Sequence, residues 1–212
     1  MLEDARLGLE NLAHRQWMLA RALRELGGQR WFWRLSLALA FEGLTGPPHR
    51  VALPAGWSAE DALYGETPPW TAWKLLGWAE LQADKQVLEV GCGRGICCLV
   101  ASLVWGAQSR GIEVVPGRAA KARALARSLD VPLTIEARAL QPGDVPGSDL
   151  ILLSATSWSD SNWLQVVDGL KGATHGTRAL SISRPIPGWT VLGEQNYPFS
   201  WGWARCWLQL RP

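Results

Sequence analysis

Cysteine is scarce in this 212-residue chain: Cys92, Cys97, Cys98 and Cys206, with no C-x-x-C pair. A domain of this length needs no disulfide framework, so the four read as reduced, buried thiols rather than staples or metal ligands. Histidine is scarcer, with 3 residues. His14 and His49 lie in the N-terminal part and His175 in a glycine-rich turn. No histidine or cysteine nucleophile is expected. An excess of one charge is also missing: 21 Lys+Arg face 19 Asp+Glu, a net +2. That balance alone implies neither a nucleic-acid nor a membrane surface. No long hydrophobic run exists. The longest uncharged stretch, Gly95 to Ser109, falls short of the about 20 residues of a helical membrane span. The first residues are acidic and lack an apolar signal core, so a cytoplasmic, soluble protein is expected. Tyrosine (2) and phenylalanine (3) are rare, yet tryptophan numbers 14. Such rings must either pack or line a site.

Apolar spacing near 3.6 residues predicts helix over residues 1–44, broken at Gly27-Gly28. A Pro- and Gly-rich stretch over 45–70 marks a boundary. The expected organisation is a helical extension and linker over residues 1–60 and one domain over 61–212. A helix is expected from about Trp70 to Leu81. Strand and helix then alternate: strand Val87–Val90, helix Gly95–Trp105, strand Arg110–Val114, helix Gly117–Leu129, strand Val131–Ile135. Strand Asp149–Leu153, helix Trp163–Leu170 and strand Thr177–Ile182 continue the series. Two last strands, Trp189–Gln195 and Arg205–Leu210, have no helix between them and should pair antiparallel. The fold class is α/β, a Rossmann-like sheet that is mostly parallel with one antiparallel C-terminal strand.

Glu89-Val90-Gly91-Cys92-Gly93-Arg94-Gly95 sits where strand turns into helix. A dinucleotide fingerprint would place its third glycine at position 96, which is Ile96. An acid two residues before the first glycine would also repel a pyrophosphate. S-adenosylmethionine has no phosphate and carries cationic sulfonium and ammonium groups, which an acidic loop suits. Glu113 closes the next strand, where a carboxylate can accept both ribose hydroxyls.

With these motifs the sequence resembles a class I S-adenosylmethionine-dependent methyltransferase, and more narrowly the Dot1-like protein lysine methyltransferases. Leu63-Tyr64-Gly65-Glu66-Thr67 is similar to that family's Y-G-E-T loop, and Val87 to Gly95 to its glycine loop. Gly111-Ile112-Glu113-Val114 is similar to its ribose motif, and Phe199-Ser200-Trp201 with Cys206-Trp207-Leu208-Gln209-Leu210 to its terminal segment. The resemblance implies that Tyr64, Gly65, Glu66 and Thr67 close over the methionine end of the cofactor. It implies that Glu89, Val90, Gly91, Cys92, Gly93 and Gly95 line the cofactor and that Glu113 and Val114 hold the ribose. Arg138, Ala139 and Leu140 align with the adenine segment. Tyr64, Ser154, Trp158 and Trp201, with Trp203 or Thr156 as further candidates, would form the acceptor channel.

Two positions depart from the family pattern. Arg138 stands where an acid accepts the adenine amino group; guanidinium has only donors, so a backbone carbonyl or Glu136 must serve. Ala155 stands where an amide helps to place the substrate. The expected function is N-methylation of a protein lysine by in-line transfer. The alternatives are a small-molecule or RNA methyltransferase and a non-catalytic S-adenosylmethionine-binding scaffold. RNA is disfavoured because no N-P-P-Y-type motif follows Asp149. The basic run Arg118, Lys121, Arg123 and Arg127 reads as a solvated helix face. No metal and no membrane partner are expected, and the oligomeric state stays open.

Overall fold

The computed structural model describes residues 2–45, 57–58, 63 and 65–212. Most of the boundary stretch expected over 45–70 lies outside the described residues. Seven strands form one sheet: β1 (Gln86–Val90), β2 (Gln108–Ile112), β3 (Leu133–Glu136), β4 (Leu150–Ser154), β5 (Arg178–Ile182), β6 (Thr190–Phe199) and β7 (Gly202–Leu210). Their spatial order is β3-β2-β1-β4-β5-β7-β6. The first five are mutually parallel, and β7 runs antiparallel to both β5 and β6. This is the expected sheet. The connections leave β1 and β4 toward opposite sides, which opens a crevice at the carboxyl ends of those two strands.

Strands β1 and β4 read as near-continuous apolar runs because both of their faces are covered. The period of two still sorts their side chains. Val87, Leu150, Leu152, Leu180 and Ile182 pack on one side with residues of α3 (Pro69–Trp78), α4 (Ile96–Trp105) and α5 (Pro116–Ser128). Leu88, Val90, Ile151, Leu153 and Ala179 pack on the other with Trp158, and with Trp163 and Val166 of α6 (Asp160–Gly169). The same alternation aims Glu89 at the α4 side, where it is buried. A carboxylate there must find donors or give up its charge.

The N-terminal segment forms α1 (Leu2–Leu26) and α2 (Arg30–Thr45), separated at the predicted glycine pair. Ala22, Leu26 and Phe32 cluster with Trp70 of α3, and Leu35 of α2 enters the main core. Arg34 donates to the Leu129 carbonyl at 2.7 Å, tying α2 to the end of α5. Among the described residues, no helix is long and apolar enough to cross a membrane.

The structure differs from expectation at the C-terminal hairpin. Strands β6 and β7 are longer than the apolar pattern shows, and they close at Gly202, whose φ is +132°. Strand β6 is an edge strand with exposed Glu194, Gln195 and Asn196, so polar residues mask its continuation. Trp203 is also displaced from its expected role. It is 59% exposed and packs on α1, with ring centroids 5.5 Å from Trp17 and 6.4 Å from His14.

Candidate functional site

The loop after β1 has three left-handed glycines: Gly91 (φ +73°), Gly93 (φ +54°) and Gly95 (φ +74°). Each conformation is cheap for glycine and strained for any residue with a Cβ. At Gly91 space is closed as well. A Cβ there would stand 2.7 Å from Cζ2 of Trp158. Gly91→Ala should therefore cost about 2 kcal/mol or more of stability; urea denaturation measures this, and an unchanged midpoint would contradict the geometry. Gly95 serves differently from expectation. It is the N-cap of α4 and lies outside the cavity wall.

Two buried carboxylates flank this loop. Glu113, just past β2, accepts from the Gly93 N–H at 2.7 Å and from the Val115 N–H at 2.8 Å, one bond to each oxygen. Burial raises its pKa against the pull of those two donors. Glu89 accepts from the Cys98 N–H at 3.2 Å. Burial pushes its carboxyl up to about 7, although bonds from Cys98 and Cys97 oppose the shift. Burial likewise pushes the thiols of Cys92, Cys97 and Cys98 upward, so none supplies a thiolate nucleophile near neutrality.

Both acids border a cavity of about 360 Å³, within the range of small-molecule sites. The structure places Gly65, Glu66, Thr67, Glu89, Val90, Gly91, Cys92, Gly93, Glu113, Val114, Ala139, Leu140, Ser154, Trp158 and Trp201 on its wall. Tyr64 lies outside the described residues. Arg138 does not line the cavity. Its guanidinium turns to Asp144, with two bonds of 2.6 Å, and to Glu136 at 2.7 and 2.9 Å. That bidentate grip holds the Asp144 carboxyl below its usual range and occupies Glu136 too. Neither Arg138 nor Glu136 lines the cavity, whereas Ala139 and Leu140 do.

The two halves of the sequence resemblance meet in space. The Glu66 N–H donates to Ser200 Oγ at 2.8 Å, and the Ser200 N–H returns a bond to the Glu66 carbonyl at 3.1 Å. Trp201 stacks on Phe199 with centroids 4.6 Å apart, and its ring lies where a side chain at position 65 would be. The Glu66 carboxylate binds Arg94 of the glycine loop. Arg94 also reaches Glu42 of α2 at 2.5 Å, and Lys121 of α5 meets Glu42 at 2.6 Å. Burial would raise the Glu42 carboxyl, but Lys121 and Arg94 hold it below the ordinary range. Helix α2 is thereby clamped to the glycine loop and to α5. Arg94→Met should speed hydrogen exchange in residues 30–45 and 65–67 together; unchanged exchange in 30–45 would contradict that link.

Several wall residues carry no signal in the sequence reading: Trp57, Val115, Asn162 and Gln165. The basic run on α5 is also not one solvated face. Arg118 lines the cavity, Lys121 binds Glu42, and Arg123 donates to the Ile135 carbonyl at 2.9 Å. The spacing of the four residues around α5 could have shown that they point in different directions.

No protein-family profile matches the sequence, and comparison with curated proteins by sequence gives no match. Solved structures do match. The chain is similar to TrmN from Thermus thermophilus (21% identity, TM-score 0.60, 73% of this chain and 52% of that one). It is similar to an RNA methyltransferase from Salinibacter ruber in complex with S-adenosyl-L-homocysteine (19%, TM-score 0.59, 69% and 94%). It is also similar to precorrin-6y C5,15-methyltransferase from Geobacter metallireducens (12%, TM-score 0.55, 77% and 95%). The chain spans about half the length of TrmN. At these identities the likeness establishes the Rossmann-like methyltransferase fold.

Proposed function

We propose that the chain is an S-adenosylmethionine-dependent methyltransferase whose acceptor is a small molecule. The observation that carries this reading is the pair of buried carboxylates, Glu89 and Glu113, on either side of a glycine loop at the crevice between β1 and β4. The residues present fit the cofactor. Gly91 and Gly93 keep the backbone low enough for close approach, Glu113 is held by two backbone donors in the place for a ribose, and Glu89 offers negative charge to a cationic methionine end. Arg118 is the one Lys or Arg on the described wall, so a phosphate-bearing dinucleotide finds little compensation there. S-adenosylmethionine would supply an activated methyl group; this chain aligns an acceptor and excludes water. The hydroxyls of Ser154, Thr156 and Ser157 and the rings of Trp158 and Trp201 surround that end of the cavity. The displacement of Arg138 removes one motive for a non-catalytic scaffold, since that guanidinium does not oppose an adenine.

The printed names of the structural neighbours support an RNA or small-molecule acceptor over a protein lysine. The lysine reading rests on the resemblance of the Leu63–Thr67 and Phe199–Trp201 segments, beside the more general glycine and ribose motifs, and Ala155 stands in place of an amide. RNA is the second reading, favoured by TrmN and the Salinibacter enzyme. We rank it lower because Lys121 and Arg123 are engaged in internal contacts and no N-P-P-Y-type motif is present. Incubation with methyl-labelled cofactor and fractionated host extract tests the order. Label should enter the small-molecule fraction. Label confined to RNA or to protein would overturn the proposed acceptor, and no transfer despite tight S-adenosylhomocysteine binding would favour the scaffold.

A further inference from the structure

Asn162 is a buried polar residue that neither the motifs nor the proposed reaction uses. It is 4% exposed and lines the cavity. Its Nδ2 has no hydrogen-bond partner among the described residues. An unpaired buried amide is costly, and such groups normally find an acceptor. Its backbone is already committed: the Asn162 N–H faces Ser159 Oγ, the N-cap of α6, at 3.4 Å. The side chain therefore is not needed as a cap. Asn162, Gln165 and Val166 share one face of α6 at spacings of three and four residues, and all three border the cavity. Farther along that face Gly169 is closed by Leu140, whose Cδ2 would stand 2.8 Å from a Cβ there. The α6 face and the Ala139–Leu140 segment thus lie against each other and both border the cavity.

We infer that Asn162 reads the edge of the cofactor's adenine, replacing the acid absent after β3. This rests on the methyltransferase reading proposed above. Adenine presents an acceptor ring nitrogen beside its donor amino group, and a carboxamide presents the complementary donor and acceptor. The Asn162 Nδ2 donates to the ring nitrogen, and its Oδ1 accepts from the amino group. Arg138, bound to Asp144 and Glu136, takes no part. The neighbouring Leu140 and Val166 supply the apolar surfaces on which a flat base lies.

The test is calorimetric titration with S-adenosylhomocysteine and with its analogue carrying hydrogen in place of the adenine amino group, which leaves the Asn162 amide one partner short whichever way it is turned. The wild type should prefer the adenine compound by on the order of tenfold to a hundredfold. Asn162→Ala should lose at least about tenfold in affinity for it and bind both compounds about equally. Asn162→Leu, which keeps the branched shape in a somewhat larger side chain without polar atoms, should behave the same and serves where the alanine variant is unstable. Retained preference in either folded variant overturns the role of Asn162 alone. Failure of the wild type to bind S-adenosylhomocysteine overturns the cofactor reading and this inference with it.

Discussion

Replacing Glu89 by glutamine is expected to stabilise the unliganded protein at pH 8 while weakening S-adenosylhomocysteine binding about tenfold or more. The Glu89 carboxyl titrates near about 7, against an ordinary 4.5, chiefly because it is buried. A group whose folded pKa lies above its unfolded value contributes stability that is complete below the unfolded pKa. That contribution is lost as pH rises through the folded one. Here the window runs from about 4.5 to about 7 and the loss reaches about 3 kcal/mol. Glutamine keeps the volume and an acceptor for the Cys98 N–H but never ionises. Denaturation midpoints for the two proteins should coincide near pH 4 and separate above pH 7, with the variant higher. A variant less stable at pH 8 would refute the assignment. In the proposed reading the same charge faces the cofactor's ammonium, so wild-type affinity should fall as pH drops below about 7, toward tenfold per unit. Affinity in E89Q should lack that dependence.

The second large effect has the opposite sign for stability. Glu113→Ala should lower cofactor affinity by at least about a hundredfold and also destabilise the fold by about 2 kcal/mol. Glu113 is the acceptor for two N–H groups, Gly93 in the glycine loop and Val115 at the start of α5. In the proposed reading the ribose loses its acceptor as well, and both backbone donors are orphaned. Glu113→Gln separates the roles, because its amide can accept from one N–H only and presents a donor to the other. Its affinity should lie between wild type and alanine. Titration calorimetry with parallel urea denaturation checks both; equal cofactor affinity in Glu113→Ala would show that the ribose lies elsewhere.

These expectations show what sequence can and cannot convey. The sheet was readable because βα repeats write their burial into the chain: Leu150 to Leu153 is apolar throughout since both faces are covered. The glycine loop and the two acids were readable because turn geometry and charge act over a few neighbouring residues. Arg138 misled, since its partners Asp144 and Glu136 are chosen by the fold rather than by an alignment position. The same holds for the N-terminal helices. Nothing in their sequence announces that Glu42 will meet Arg94 and Lys121, contacts that cross 52 residues in the first case. Asn162 was invisible for a related reason: a helix-face asparagine is ordinary until its burial and unpaired Nδ2 are known. Of the 14 tryptophans, Trp57, Trp158 and Trp201 line the cavity, and the first of them carries no signal in the sequence. Trp203 belongs instead to the contact with α1.

The most direct test of the whole account is titration of S-adenosylhomocysteine into the purified protein at pH 8, beside folded Glu113→Gln. Saturable binding at one site is expected in the wild type and clearly weaker binding in the variant. Absence of binding to the wild type, or identical binding to both, would contradict it.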